Sequence, residues 1–512
     1  MSPTTSLAQP IAALAAADPD APAVIVGMTV TTFAELDHRI RASVPALDEL
    51  VGAGTKVAVI GPNHPGWIEL YYAVPGSGRL LVFLNHRLGA SELATLLGRS
   101  GSSAVIGDPG QLSRLREAGV DLPLVDWDRW AEIVDTVVDP APLPDVDPDQ
   151  PAWLLFTSGT TAAPKGALLS HRNVLAAVEA SAAARPVEPD DIYVFPFPLC
   201  HVAGYNVVHR HVHGRPVVLI SQFDAAMFCE TVAATRATST SLAATMLATL
   251  VDAADDDPRL LEKLSSLRSI AYGAAPMSTS LLMRANALLG VDFAQGYGMT
   301  ELSGNAVFLD AAAHRRGLDG EPELLRAAGI PAPGVELRIV DDDDVEVEPG
   351  DQGEICVRAP QVMLGYLDDL DATDSALAGG WMHTGDIGRM IDGMLHVVDR
   401  KKDIIITGGE NVSSLEVEEA VLRHPDILRV AVVGVPDEKW GENVCAVVVV
   451  RDPAVFDPQG LIASVRSSLG GFKVPRHVVI VDDLPVNGAG KLQKNELREW
   501  LEKNSSLLSR RN

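Results

Sequence analysis

The chain has 512 residues, with 41 Lys and Arg against 68 Asp and Glu, a formal charge of -27, and 47% hydrophobic and 5% aromatic side chains. At roughly 100 to 200 residues per domain this length implies two to four packed units, and the acid excess leaves no basic stripe to neutralise nucleic-acid phosphates or dock on an anionic membrane. No run approaches the ~20 apolar residues that span a bilayer, the N-terminus MSPTTSLAQP lacks the basic start of a signal peptide, and Cys200, Cys229, Cys356 and Cys445 form no CxxC pair; a soluble cytoplasmic protein is expected.

Along the first 150 residues, helical patterns such as FAELDHRIRASVPALDEL alternate with buried-strand runs, KVAVIG at 56 to 61 and SAVIGD at 103 to 108. This alternation predicts an α/β unit with a mostly parallel sheet. The Pro- and Asp-rich stretch from 138 to 152 sustains neither helix nor central strand and reads as a linker before the strand WLLFTS. A second α/β layer follows to about 315, with strands VVLIS, SIAYGA and VDFAQGYG. Between 335 and 400 short strands separated by turns predict a small β-rich subdomain, with Asp341 to Asp344 as a solvated hairpin turn. Beyond Arg400, strands IIIT, VAVVGV and CAVVVV alternate with helices starting near Ser414 and Gln459, a small α/β domain. Residues 399 to 512 hold 16 basic and 17 acidic side chains, a net of -1, so the body carries -26 of the charge. The expected fold is α/β: a large N-terminal domain, 1 to 398, of two sheet-helix layers and a β-rich subdomain (about 1 to 150, 151 to 315 and 316 to 398), then a small mobile C-terminal domain, 399 to 512.

Ten lysines stand against 31 arginines, and between Lys56 and Lys263 only Lys165 occurs. It lies in TSGTTAAPKG, residues 157 to 166, directly after an apolar strand, where hydroxyl side chains and glycines suit a loop that wraps phosphate oxygens. A Walker loop is excluded, because Pro164 precedes the lysine and Gly166 follows it.

Together with this loop, FPFPLCHVAG at 195 to 204, YGAAPMS at 272 to 278, QGYGMTE at 295 to 301, WMHTGDIG at 381 to 388, DRKKDIIITGGENVSSLEVE at 399 to 418 and PVNGAGKLQK at 485 to 494 resemble, in order, the motifs of the adenylate-forming superfamily. That superfamily comprises acyl-CoA synthetases, luciferases and adenylation domains, and the likeness is greatest to a fatty acyl-CoA synthetase. The resemblance implies activation of a carboxylate with ATP and Mg²⁺ as acyl-AMP, then transfer to coenzyme A. Positioning and cationic stabilisation dominate such transfers.

By the same resemblance, Thr157, Ser158, Gly159, Thr160, Thr161 and Lys165 hold the β- and γ-phosphates, and Glu301 binds Mg²⁺. Adenine lies against Gly273, Ala274, Ala275 and Pro276, in contact with the segment Gln295, Gly296, Tyr297, Gly298 and Met299, with Tyr297 stacking on the ring. Thr300 contacts the α-phosphate, Asp386 the ribose hydroxyls, and Arg400 the ribose or a phosphate. Lys491 bridges carboxylate and α-phosphate during adenylation. His201, Val202 and Gly204 lie by the acyl pocket; Gly408, Gly409 and Glu410 leave room for a pantetheine arm; Lys402 is the hinge on which the small domain turns between half-reactions.

The sequence departs from the family pattern at Ala162, where Gly is usual, at Phe83 and Ala244, where Pro is usual, and at Ser413-Ser414, where many members have Tyr-Pro. Ala at 162 stiffens a loop that Gly would leave free. His209, His211 and His213 alternate as if on one strand face, yet no cysteine or carboxylate completes a metal set beside them. The expected activity is an AMP-forming acid-CoA ligase for medium- or long-chain fatty acids. Its rivals are a fatty acyl-AMP ligase loading a carrier protein and a non-catalytic nucleotide- or acyl-binding protein; a serine hydrolase would need GxSxG, which is absent.

Overall fold

The computed structural model describes residues 6 to 52, 55 to 157, 164 to 273, 277 to 486, 492 to 504 and 507 to 508. The chain divides into two compact units, Met1–Leu337 with Val357–Met382, and Arg338–Cys356 with His383–Asn512.

In the first unit, the β-branched runs predicted as strands pair into two large sheets. A seven-stranded sheet runs in the order Gly365–Tyr366, Lys165–Ser170, Pro151–Thr157, Leu80–Leu84, Lys56–Ile60, Ala104–Gly107 and Leu124–Asp126. Its inner neighbours from Pro151–Thr157 to Leu124–Asp126 are parallel, as the β-helix alternation predicts, and both faces are buried. Helix Phe33–Val51 starts at a capping box in which Thr32 Oγ1 accepts from Glu35 N and Thr32 N donates to Glu35. Trp67, Tyr71, Phe83 and Trp153 form a fully enclosed aromatic cluster against the sheet, with ring centroids 5.0 to 6.4 Å apart. The Pro- and Asp-rich segment from 138 to 150 is neither helix nor strand.

A nine-stranded sheet forms the second layer, in the order Ile330–Pro331, Gly304–Leu309, Asp292–Met299, Ser269–Gly273, Ser239–Leu242, Tyr193–Phe195, Val217–Leu219, Pro22–Val26 and Thr29–Thr32. Ser269–Gly273 and Asp292–Met299 run parallel, and Gly304–Leu309 returns antiparallel, with a bulge between Tyr297 and Gly298. That return turns the chain at the carboxyl ends of parallel strands, where open α/β sheets place their ligands.

In the second unit, a four-stranded sheet orders Glu336–Val340, Gly353–Arg358, Met382–Ile391 and Met394–Arg400, its first three strands each crossing the boundary between the units. Asp341 to Asp344 form the turn expected there, with Asp341 N donating to Val345 O. A five-stranded sheet joins Glu410–Val412, Ile405–Thr407, Gly441–Val450, Ile427–Asp437 and, beside Gly441–Val450, His477–Ile480. Helices Ser414–Leu422 and Pro458–Ser468 start within a residue of the sequence reading.

The alternating histidines do not lie on a strand. His209 and His211 sit on helix Tyr205–Val212, with His213 as its cap, not on a strand face. At spacing two His211 diverges from the other two, while His209 and His213, four apart, lie together with ring centroids 5.3 Å apart, so the three share no single ligating face. Tyr72 Oη lies 2.8 Å from His211 Nδ1, His211 Nε2 lies 3.0 Å from Ala23 O, and His213 Nδ1 lies 2.8 Å from His209 O. A run of alternating polar and apolar residues imitated strand periodicity, and packing against the first sheet strand chose the helix. Among the described residues no helix is long and apolar enough to cross a membrane.

Candidate active site

Strands Pro151–Thr157 and Lys165–Ser170 pair antiparallel with Thr157 opposite Lys165, so the loop between them leaves and re-enters the sheet at one point. Ser158, Gly159, Thr160, Thr161 and Ala162 lie outside the described residues, as do Ala274, Ala275, Pro276 and Lys491. At the stem of the loop, Thr157 Oγ1 lies 3.4 Å from Lys165 O, and Pro164 O accepts from Arg99 at 2.6 Å.

Glu301 approaches this stem from the other sheet. Strand Asp292–Met299 ends in the short 3₁₀ turn Thr300–Leu302, and the chain reverses through Ser303 (φ 54) and Gly304 (φ 147). Gly298 is required here, because a Cβ on it would stand 2.0 Å from Gly304 O. The turn leaves Glu301 only 5% exposed, with Met363 N donating to its carbonyl at 2.8 Å. Its Oε1 accepts from Thr157 Oγ1 at 3.2 Å and Tyr366 Oη at 3.0 Å. The Lys165 ammonium lies 5.1 Å from the centroid of the Tyr366 ring. Burial, then the Glu301 carboxylate, push the Tyr366 hydroxyl well above its usual range, so it stays a donor.

The rest of the predicted nucleotide segment follows the same hairpin. Gly273 and Gly296 are neighbours across parallel strands, Gln295 Oε1 accepts from Tyr272 Oη at 3.2 Å, and Tyr297, Met299 and Thr300 are half-buried at the strand end. His201, half-buried, caps the turn Val202–Gly204; Asn63 fixes the segment before it, donating to Phe197 O at 2.8 Å and accepting from Leu199 N at 2.8 Å. Tyr71 donates to Leu199 O from the aromatic cluster.

Within the second unit, Asp386 and Arg400 are direct cross-strand partners, Arg400 Nε 3.8 Å from Asp386 Oδ1. The turn before Asp386 is fixed by Gly385 N donating to Glu354 Oε1 at 3.0 Å and Asp386 N donating to Thr384 Oγ1 at 3.1 Å. Lys402 lies in the turn after Arg400, and Gly408 and Gly409, at φ 61 and 84, lead into Glu410 on an exposed strand. Asp399, 2% exposed, accepts from Ser414 N and Ser414 Oγ, both at 2.6 Å, and from Arg400 N at 2.8 Å. Lys494 donates to Ser414 Oγ at 2.5 Å and pairs with Glu418 at 2.8 Å.

The structure therefore joins Thr157, Lys165 and Glu301 in one group and Asp386 with Arg400 in another. Sequence reasoning missed Tyr366, Asn63 and the Asp399 network. Tyr366 stands in a two-residue strand with no motif spacing around it; Ser414 was visible only as a departure from pattern.

Glu301 suits a hard divalent cation. It is a buried carboxylate held by two hydroxyls, and no basic side chain among the described residues pairs with it. The structural carboxylates Glu69, Asp191 and Glu418 each have such a partner, in Arg39, Arg210 and Lys494. Another group, Asp344, Cys356 and His383, has ligating atoms within 4.8 Å of one another. There Arg338 already pairs with Asp344 at 2.6 Å and Lys401 contacts the neighbouring Glu354 at 3.4 Å, while burial pushes the Cys356 thiol up to about 12. Its charges are balanced by the protein's own bases. All four cysteines are free and buried.

A two-layer α/β body with a loop-and-carboxylate site at its strand ends, accompanied by a small α/β unit, defines the adenylate-forming class. Residues 11–367 match the AMP-binding enzyme family and residues 416–491 its C-terminal domain, and the chain belongs to that family. The CoA ligases of this class use ATP, Mg²⁺ and CoA. The chain is 37% identical over 486 residues to a feruloyl-CoA synthase of an Amycolatopsis species, covering 94% of this chain and 96% of that one. It is 32% identical over 506 residues to the medium/long-chain fatty acid-CoA ligase FadD8 of Mycobacterium tuberculosis, covering 93% and 87%. The structure of the amide bond synthetase McbA from Marinactinospora thermotolerans superposes with a TM-score of 0.86 at 34% identity, covering 97% and 99%.

Proposed function

We propose that the chain is an ATP-dependent carboxylate-CoA ligase acting in the cytoplasm on an acid with an apolar body, of the medium- to long-chain fatty acid class. A carboxylate oxygen attacks the α-phosphorus and pyrophosphate leaves; the CoA sulfur then attacks the acyl carbon, and AMP leaves with the electron pair of the broken bond. In this reading residues 1 to 398 form the body and 399 to 512 the lid, hinged at Lys402.

The observation that carries the reading is the convergence of Thr157, Lys165 and Glu301 at the mouth of the phosphate-loop stem. Glu301 would hold Mg²⁺, which supplies charge neutralisation at the phosphates. Lys165 and the 157 to 166 loop bind the β- and γ-phosphates, Asp386 takes the ribose hydroxyls with Arg400 alongside, and Thr300 and Lys491 face the α-phosphate. Tyr297 and the segments at 273 to 276 and 295 to 299 enclose adenine. Gly408, Gly409 and Glu410 border the pantetheine path in the second half-reaction.

The apolar preference rests on the segments expected to line the acyl pocket, where Val202, Ala203, Gly273, Ala274 and Gly296 offer no carboxylate or lysine. FadD8 supports a fatty acid. The likeness to feruloyl-CoA synthase favours a second reading, an aromatic acid. Pyrophosphate release over C2 to C18, branched and aryl acids, with and without CoA, decides between them. A fatty-acid ligase prefers the longer chains gradually, because one methylene is worth roughly 1 kcal/mol in an apolar pocket. A sharp optimum on hydroxycinnamates would give the aromatic reading, and acyl-AMP that persists until a carrier protein is added would replace CoA as acceptor.

A further inference from the structure

We propose that Tyr366 is a positioning residue that holds the two opposite charges of the phosphate end apart, its ring taking the Lys165 cation and its hydroxyl the Glu301 carboxylate. The proposal rests on the roles of Lys165 and Glu301 given above.

Placement is the first support. Gly365 and Tyr366 form a short strand antiparallel to Lys165–Ser170, with Gly365 opposite Leu168 and Tyr366 opposite Ala167. Leu364 N donates to Leu168 O at 2.9 Å and Leu367 N to Gly166 O at 2.8 Å, so the Tyr366 backbone is tied to the strand that Lys165 begins. Tyr366 N donates to Thr373 Oγ1 at 2.8 Å. Gly365, at φ 148, lies so close to Thr373 that a Cβ there would stand 2.7 Å from its methyl. Met363, three residues earlier, donates to Glu301 O at 2.8 Å. One segment therefore grips both the main chain and the carboxylate of Glu301.

Charge is the second support. The Lys165 ammonium lies over the ring, 5.1 Å from its centroid, Glu301 lies at its hydroxyl, and the two charges make no ion pair with each other. Paired with each other, they would neutralise themselves, and ATP and its cation would have to break that pair on binding. The aromatic face offers the lysine a weaker, breakable partner, and two hydroxyl donors on a single oxygen fix the carboxylate plane without cancelling its charge.

Glu301→Gln, Tyr366→Phe and Tyr366→Leu in the full chain test this by calorimetric ATP affinity with Mg²⁺ and with EDTA. Conversion of supplied acyl-AMP and CoA to thioester is measured alongside. Tyr366→Phe keeps the ring and is expected to lose roughly tenfold of the Mg²⁺-dependent gain in ATP affinity, the value of one hydrogen bond to a charged group, with EDTA-state affinity and thioester formation unchanged. Tyr366→Leu, which also frees Lys165, is expected to change ATP affinity in EDTA as well. A merely structural tyrosine would lower melting temperature and both half-reactions without touching the Mg²⁺ increment. If Glu301→Gln loses the Mg²⁺ gain and Tyr366→Phe retains it, the proposal is overturned and the site reading stands; if Glu301→Gln itself retains the gain, the reading of Glu301 falls and the proposal with it.

Discussion

Each side chain of the phosphate end serves through what its neighbours leave undone. Thr157 and Tyr366 satisfy one oxygen of Glu301 and bring no charge, so the carboxylate keeps its negative field for a cation. Thr157→Val is therefore expected to weaken pyrophosphate release with Mg²⁺ while the acyl-AMP to acyl-CoA step continues, a split measurable with supplied acyl-AMP. By the family resemblance Lys491 bridges carboxylate and α-phosphate, where adenylation builds charge and the second step does not. Lys491→Ala is expected to lose adenylation by about 10² or more, the effect of removing one preorganised donor, while thioester formation from acyl-AMP survives. Equal loss in both steps from a folded variant would make this lysine structural.

Among the elements, helix Ser414–Leu422 shows how a departure from a family pattern acquires a structural meaning. The family resemblance implies Tyr-Pro where Ser413-Ser414 stand, and proline has neither the N–H nor the hydroxyl that Ser414 gives Asp399. Ser413 caps the helix and its hydroxyl also donates to Val398 O at 2.7 Å, so the helix start is bolted to the strand Met394–Arg400 just before the proposed hinge. Ser414→Pro keeps a residue favoured at a helix start and strips Asp399 of two donors, leaving a buried carboxylate under-satisfied. The expected cost is about 2 to 3 kcal/mol, read as a drop in the denaturant midpoint of the small unit. An unchanged midpoint would mean that water replaces both donors.

For the molecule as a whole, acid should be more damaging than the surface charge suggests. Burial holds His171 and His211 down to about 4, so both are neutral in the fold and protonate in the unfolded chain at their ordinary 6.5. Between these values the unfolded state binds more protons, and stability rises with pH. The contribution is complete above 6.5, is lost as pH falls toward 4, and amounts to about 3 kcal/mol for each histidine. Unfolding by urea at pH 4.5 and 7 measures the drop, which His211→Gln should shrink; an identical drop in the variant would assign it elsewhere.

Local pattern sufficed for much of this architecture. The alternation of apolar runs and helical periods determined the parallel sheets and the β-rich stretch, because side-chain burial repeats every two or 3.6 residues, and Pro and Asp content marked the linker at 138 to 152, whose last two residues, Pro151 and Ala152, instead open a strand. Resemblance to the motifs of the adenylate-forming superfamily marked Thr157, Lys165, Glu301, Asp386 and Arg400 as candidates, and of these only the hydroxyl- and glycine-rich loop around Lys165 was legible from its own residues. Periodicity misplaced His209, His211 and His213, whose helix follows from contacts with Tyr72 and Ala23, 139 and 188 residues from His211. Tyr366, 65 residues from Glu301 and about 200 from Lys165, had no local signal at all. Its place between cation and carboxylate comes from strand pairing and a chain reversal, and only the tertiary structure, which brings distant segments within hydrogen-bond range, could decide it.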